Sequence, residues 1–67
     1  MKIIINGKEE HIERELTIPE LLTARNVESP DMVAVELNGV ILSRSELPVT
    51  RVRENDRVEL LYFMGGG

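Results

Sequence analysis

Sixty-seven residues make one domain, and a chain of that size buries only about 60% of the surface its unfolded form exposes, which leaves room for one thin core and none for a deep catalytic cavity. There is no cysteine, so neither a disulfide framework nor thiolate chemistry is available. Eight Lys and Arg against twelve Asp and Glu give a formal net charge of -4; the basic residues are scattered among acids, which argues against nucleic acid as a partner. The apolar run Ile3-Ile4-Ile5 is too short for a signal-peptide core or a membrane span, so a cytoplasmic protein with no membrane contact is expected.

In chain order, Lys2 to Asn6 is short and β-branched, and Asn6-Gly7 is the strongest two-residue hairpin signal, because a type I′ turn needs positive φ at both central positions. The second strand, around Lys8 to Glu13, is mostly charged, which suits a protected sheet edge. Thr17-Ile18-Pro19-Glu20 reads as a helix start: Thr17 caps, Glu20 completes the capping box, and Pro19 sits in the first turn, where its missing N–H is not needed. The helix should run from Ile18 to about Arg25 with Ile18, Leu21 and Leu22 on one face, and end at Asn26. Ser29-Pro30-Asp31 breaks the pattern. Met32 to Leu37 alternates as a half-buried strand, Asn38-Gly39 repeats the hairpin signal, and Val40-Ile41-Leu42 follows. Ser43 to Asn55 reads as an irregular connection with a short helical turn, and Arg57 to Phe63 is the last strand.

Two hairpins, one helix and a lone final strand are most economically joined as an α+β fold, a β-grasp or ubiquitin-like roll. Its mixed five-stranded sheet has the helix packed across one face and the last strand beside the first in the middle. The domain spans 1–63, followed by a Gly-rich tail at 64–67. Parity then directs Ile3, Ile5, Val58, Leu60 and Tyr62 toward the helix, and Ile4, Glu59, Leu61 and Phe63 away from it. Leu61 and Phe63, with Ile4 nearby, would form an apolar patch on the open face; it is either a docking surface or covered by sheet twist and the crossover segment.

Chemistry carried by the chain itself is not supported. His11 lies among charges with no second histidine or cysteine to complete a metal or nucleophile set. Glu9-Glu10 and the Glu54/Asp56 pair read as solvated charge, with no pocket-forming residues between them. Tyr62 and the methionines read as core or near-core. The tail remains: Met64 to Gly67 extended reaches about 13 Å, and three residues without Cβ can thread a narrow channel. By composition such an end is either disordered or a tether.

Taken together, Ile3-Ile4-Ile5-Asn6-Gly7, Thr17-Ile18-Pro19-Glu20-Leu21-Leu22, Val33-Ala34-Val35-Glu36-Leu37-Asn38-Gly39 followed by Arg44-Ser45, Asp56-Arg57-Val58-Glu59-Leu60 and Phe63-Met64-Gly65-Gly66-Gly67 resemble the ThiS family of sulfur carrier proteins of thiamine biosynthesis. That resemblance implies a protein co-substrate without enzymatic activity. The Gly67 carboxylate would be adenylated by a ThiF-like adenylyltransferase, converted to a thiocarboxylate with sulfur from a persulfide donor, and used by thiazole synthase, a ThiG-like enzyme. Met64, Gly65 and Gly66 would enter the partner's active site, and Ile4, Leu61 and Phe63 would dock. No cofactor is expected on this chain; ATP and Mg²⁺ belong to the activating partner. A carrier of the same fold for molybdopterin or cysteine synthesis (MoaD-like) and a non-covalent ubiquitin-like interaction module are the other readings.

Overall fold

All four asparagines of the chain adopt left-handed backbone angles, with φ 49° at Asn6, 57° at Asn26, 51° at Asn38 and 69° at Asn55. Asparagine tolerates that region better than other residues with a Cβ, and each of these positions reverses the chain or closes the helix. Gly7 and Gly39 follow two of them at φ 81° and 87°, completing the two tight hairpins their sequences predict.

The computed structural model describes residues 1–62. Between the turns lie β1 (Lys2–Ile5), β2 (Lys8–His11), β3 (Leu16–Thr17), α1 (Ile18–Ala24), β4 (Val33–Leu37), β5 (Val40–Ile41), β6 (Arg51–Val52) and β7 (Arg57–Tyr62), with 3₁₀ turns at Pro30–Met32 and Leu47–Val49. The main sheet has five strands in the order β2-β1-β7-β4-β5. β1 and β7 run parallel, while β1–β2, β7–β4 and β4–β5 are antiparallel. The last strand thus lies in the middle beside the first, and the predicted β-grasp roll is the observed fold.

One element departs from expectation. Residues 43 to 55 are not wholly irregular, because Arg51–Val52 pairs antiparallel with Leu16–Thr17 in a second, two-stranded sheet. This pairing delivers Val52 into the core, where it is fully buried, and the adjacent 3₁₀ turn delivers Leu47. Two-residue strands carry no readable periodicity, and only their long-range partners define them.

The capping box at α1 forms as its spacing predicts. Thr17 Oγ1 accepts the Glu20 amide at 3.3 Å and Glu20 Oε1 accepts the Thr17 amide at 2.8 Å. A cap of this kind is worth about 0.5–2 kcal/mol. The hydrogen bond from the Thr17 backbone, supported by the Thr17 hydroxyl and by Arg14 and Arg51, holds the Glu20 carboxyl below its ordinary 4.5. Glu46 repeats the device in the connection: its carboxylate accepts the Ser43 amide at 2.7 Å and is lowered for that reason.

Parity is obeyed through the core. Ile3 and Ile5 from β1, Val33 and Val35 from β4, and Val58 and Leu60 from β7 meet Ile18, Leu21 and Leu22 of α1, all of them buried. Each such aliphatic side chain contributes about 1.5–3 kcal/mol by leaving water. The Ile18, Leu21, Leu22 spacing turns one helical stripe onto the sheet. Among the described residues no helix lies over the opposite face of the sheet.

Two expectations about core residues are corrected. Met32 lies in the 3₁₀ turn before β4 and is exposed. Tyr62 is 57% exposed, although its parity is inward. Helix α1 ends at Ala24, so the loop 25–29 is what stands over this end of the sheet, and Tyr62 lines a shallow depression with Arg25, Asn26, Val27, Glu28 and Ser29.

Candidate functional site

The candidate site is the C-terminal end of β7 and the open sheet face around it. Phe63, Met64, Gly65, Gly66 and Gly67 lie outside the described residues, so the geometry begins at Tyr62. Leu61 points to the open face and is 44% exposed, as a docking residue requires. Ile4 faces the same side but is half-buried. The expectation that Ile4 and Leu61 form one patch is not met: register places Ile4 beside Arg57, four residues and about 13 Å along the strand from Leu61.

Leu61 has other neighbours instead. It pairs with Ala34 on β4, the next outward pair is Glu59 with Glu36, and Ile41 on β5 pairs with Glu36. Ile41 is 61% exposed. The open face of β7, β4 and β5 is therefore apolar at Leu61, Ala34 and Ile41, with the opposed carboxylates of Glu59 and Glu36 beside them. Like charges directly across a ladder destabilise it slightly. The sequence reading missed this pairing, since alternation shows both glutamates pointing outward but not that they meet.

The backbone at this site is defined by the turn after β1. The parallel ladder carries Ile4 N–H to Asp56 O and Asn6 N–H to Val58 O, each at 2.9 Å. The chain then reverses at Asn6-Gly7, and the Asn6 side chain replaces its own carbonyl: Asn6 Oδ1 accepts the Leu60 amide at 2.8 Å. The residues that stabilise the left-handed turn and that steady the last strand are thus the same.

On the far side of β7, the 38–39 hairpin locks onto the 55–56 turn. Asn38 Nδ2 donates to Asp56 Oδ1 at 3.0 Å, Asn38 Oδ1 accepts the Arg57 amide at 2.9 Å, and Asp56 Oδ2 accepts the Arg53 amide at 2.8 Å. Glu54 accepts the Lys2 amide at 3.1 Å, and Glu10 pairs with Arg25 at 3.2 Å. Glu10, Glu54 and Asp56 thus bind turns and strands at the surface, and Glu9 and Glu54 are exposed, in keeping with solvated charge. His11 is exposed on β2 opposite Lys2. Among the described residues no group of three or more His, Cys, Asp or Glu is placed to hold a metal ion, and no helix is long and apolar enough to cross a membrane.

Comparison with known proteins adds the last finding. The sequence pattern of the ThiS family matches residues 3–67. A crystal structure described as the thiamine biosynthesis protein ThiS from Geobacter metallireducens superposes with a TM-score of 0.89 at 43% identity, covering 100% of both chains. Two curated proteins named thiazole synthase are similar along the whole of this chain, at 37% identity in Paramagnetospirillum magneticum and 36% in Magnetococcus marinus. The chain spans 20% of the length of each of those relatives. With the family pattern matched over residues 3–67 and the fold shared with a ThiS structure at 43% identity over the whole chain, this chain belongs to the ThiS family.

Proposed function

We propose that the chain is a sulfur carrier whose Gly67 carboxylate is adenylated, converted to a thiocarboxylate and consumed in thiazole formation for thiamine biosynthesis. The observation that carries this reading is the family match running through Gly67 itself. A free carboxylate is a poor acyl donor because its leaving group would be oxide. Attack of the Gly67 carboxylate on the α-phosphate of ATP expels pyrophosphate and makes a mixed anhydride with AMP as a good leaving group. A persulfide sulfur then displaces AMP to give an acyl disulfide, and a thiol cleaves its S–S bond to leave the thiocarboxylate.

Each protein group has a limited role in this scheme. Gly65 and Gly66 offer no side chain to obstruct a narrow channel, and Met64 leads into them. Leu61, with Ala34 opposite it, supplies docking area at the end of β7, and Phe63 follows two residues on in the sequence. The net charge of -4 favours encounter with a basic partner surface. ATP and Mg²⁺ act in a ThiF-like adenylyltransferase, so the carrier is a co-substrate. The similarity of the whole chain to a fifth of two proteins named thiazole synthase supports a ThiG-like enzyme as the acceptor.

The test is intact mass after incubation with ATP, a persulfide donor and an active ThiF-like enzyme. A gain of about 16 Da, oxygen replaced by sulfur, is expected. No gain with an enzyme shown to be active on another carrier would overturn the reading.

A further inference from the structure

The parallel ladder between β1 and β7 stops one rung early. Ile4 occupies the position between Asp56 and Val58, and Asn6 occupies the position between Val58 and Leu60, its amide bonding Val58 O and its side chain bonding the Leu60 amide. The following rung would be made by Leu60 C=O and Tyr62 N–H. Odd-numbered residues of β7 turn their backbone groups to β4, as the Asn38 amide bonded to Arg57 O shows. Leu60 and Tyr62 therefore turn theirs to the side that β1 has vacated. Among the described residues no strand lies along that edge.

We infer that this edge of β7 is a strand-acceptor site, into which the adenylating enzyme lays a short extended segment of its own beside the carrier tail. The inference rests on the carrier reading above and adds the surface by which the tail is aimed. In a parallel arrangement a single partner residue completes the rung, its N–H donating to Leu60 O and its C=O accepting from Tyr62 N–H. From Tyr62 the five residues to Gly67 reach about 17 Å at most. A strand paired at Tyr62 thus sets the direction of the tail at its root, where a small error in angle becomes a large error at the carboxylate.

Three observations favour that occupant. The edges at the two ends of the sheet are poor templates, since β2 is Lys8-Glu9-Glu10-His11 and β5 has two residues, and charge and shortness are common protections against strand addition. The β7 edge is a single open rung, but the rung carries no charged side chain and is flanked by Leu61 and Tyr62, both exposed. Charge also selects the partner. The partner residue that completes the rung sits opposite Leu61 and shares its open face. Glu59, with Glu36 opposite it, lies one diagonal step back, within reach of a long basic side chain at that partner position, which would relieve the repulsion of the two carboxylates. A second copy of this chain would set one net charge of -4 against another, which disfavours self-pairing.

The Tyr62 amide reports the site directly. Hydrogen exchange of ¹⁵N-labelled full chain is followed by NMR, alone and with an excess of the adenylating enzyme, with the Leu60 amide as the internal reference because Asn6 already holds it. The expected result is a Tyr62 amide that exchanges freely in the isolated chain and slows at least tenfold in the complex. Tyr62→Pro removes the N–H on the vacated side without touching the bonds to β4, whereas Tyr62→Ala removes only the ring. Binding of Tyr62→Pro should be roughly tenfold weaker than that of Tyr62→Ala, the size of one lost hydrogen bond, with the two thermal transitions alike.

A Tyr62 amide already protected in the isolated chain overturns the inference, because the edge is then occupied by the chain's own tail or by a second copy. Full thiolation with a Tyr62 amide that stays unprotected, or with equal binding of the Pro and Ala variants, overturns it and leaves the carrier reading standing. Absence of any complex and of any mass gain overturns both.

Discussion

The side-chain carbonyl of Asn6 accepts the Leu60 amide at 2.8 Å across 54 positions of sequence, joining the first hairpin to the root of the tail. Asn6 also holds a left-handed φ of 49°, so one residue supplies both a turn and a ladder bond. The two roles separate by substitution. Asn6→Gly keeps the backbone angle and loses the bond, costing about 0.5–1.5 kcal/mol. Asn6→Ala loses both and costs roughly 1–2 kcal/mol more. Urea midpoints of the two variants should fall in that order; equal midpoints would mean that backbone strain at residue 6 is not relieved by glycine.

Glu36 and Glu59 oppose each other on the open face. Replacing Glu59 with Lys turns a repulsive cross-strand pair into an attractive one, and a gain of about 0.2–1 kcal/mol in unfolding free energy is expected. The same change should weaken association with the adenylating enzyme and reduce its dependence on salt. Stability from denaturant titration and affinity measured at two ionic strengths check the opposed signs.

Leu61 is exposed, whereas Val58, on the same strand, is fully buried. Leu61→Asp should change stability by less than about 1 kcal/mol, and Val58→Asp should unfold a domain of this size. Circular dichroism melts distinguish them, and the folded Leu61→Asp chain should be thiolated more slowly.

The Glu20 carboxyl is lowered by its hydrogen bond to the Thr17 backbone. A group whose folded value is depressed contributes stability above its unfolded value of 4.5 and loses it as pH falls through the lower folded value. Unfolding free energy should therefore decline on acidification below the ordinary carboxylate range. Glu20→Gln should make that decline shallower, as read from denaturant midpoints across a pH series.

Deleting Gly67, or adding one alanine after it, should abolish the mass gain on thiolation. The thermal transition should stay nearly unchanged, because the core described above is made of residues between Ile3 and Leu60. Thiolation of either variant at the normal rate would move the reacting carboxylate elsewhere.

Local chemistry made much of this molecule legible. Asn-Gly pairs, Thr17 with Glu20, and the alternation of Val33 and Val35 or Val58 and Leu60 each specify a turn, a cap or a face within a few residues, and the helix and five main strands followed from them. The family resemblance, carried by motifs distributed along the chain, pointed to the tail, which composition left open between disorder and tether. Register was decided elsewhere. That Ile4 lies beside Arg57 and not Leu61, that Glu36 meets Glu59, that Leu16–Thr17 pairs with Arg51–Val52 and that Tyr62 is uncovered all depend on how far one element slides along another and where α1 stops. Periodicity of two reports which side a residue faces and is unchanged by sliding two residues along the strand, so it cannot name the neighbour. Packing of the whole sheet against one seven-residue helix sets that slide, and with it the vacant rung at Leu60 and Tyr62.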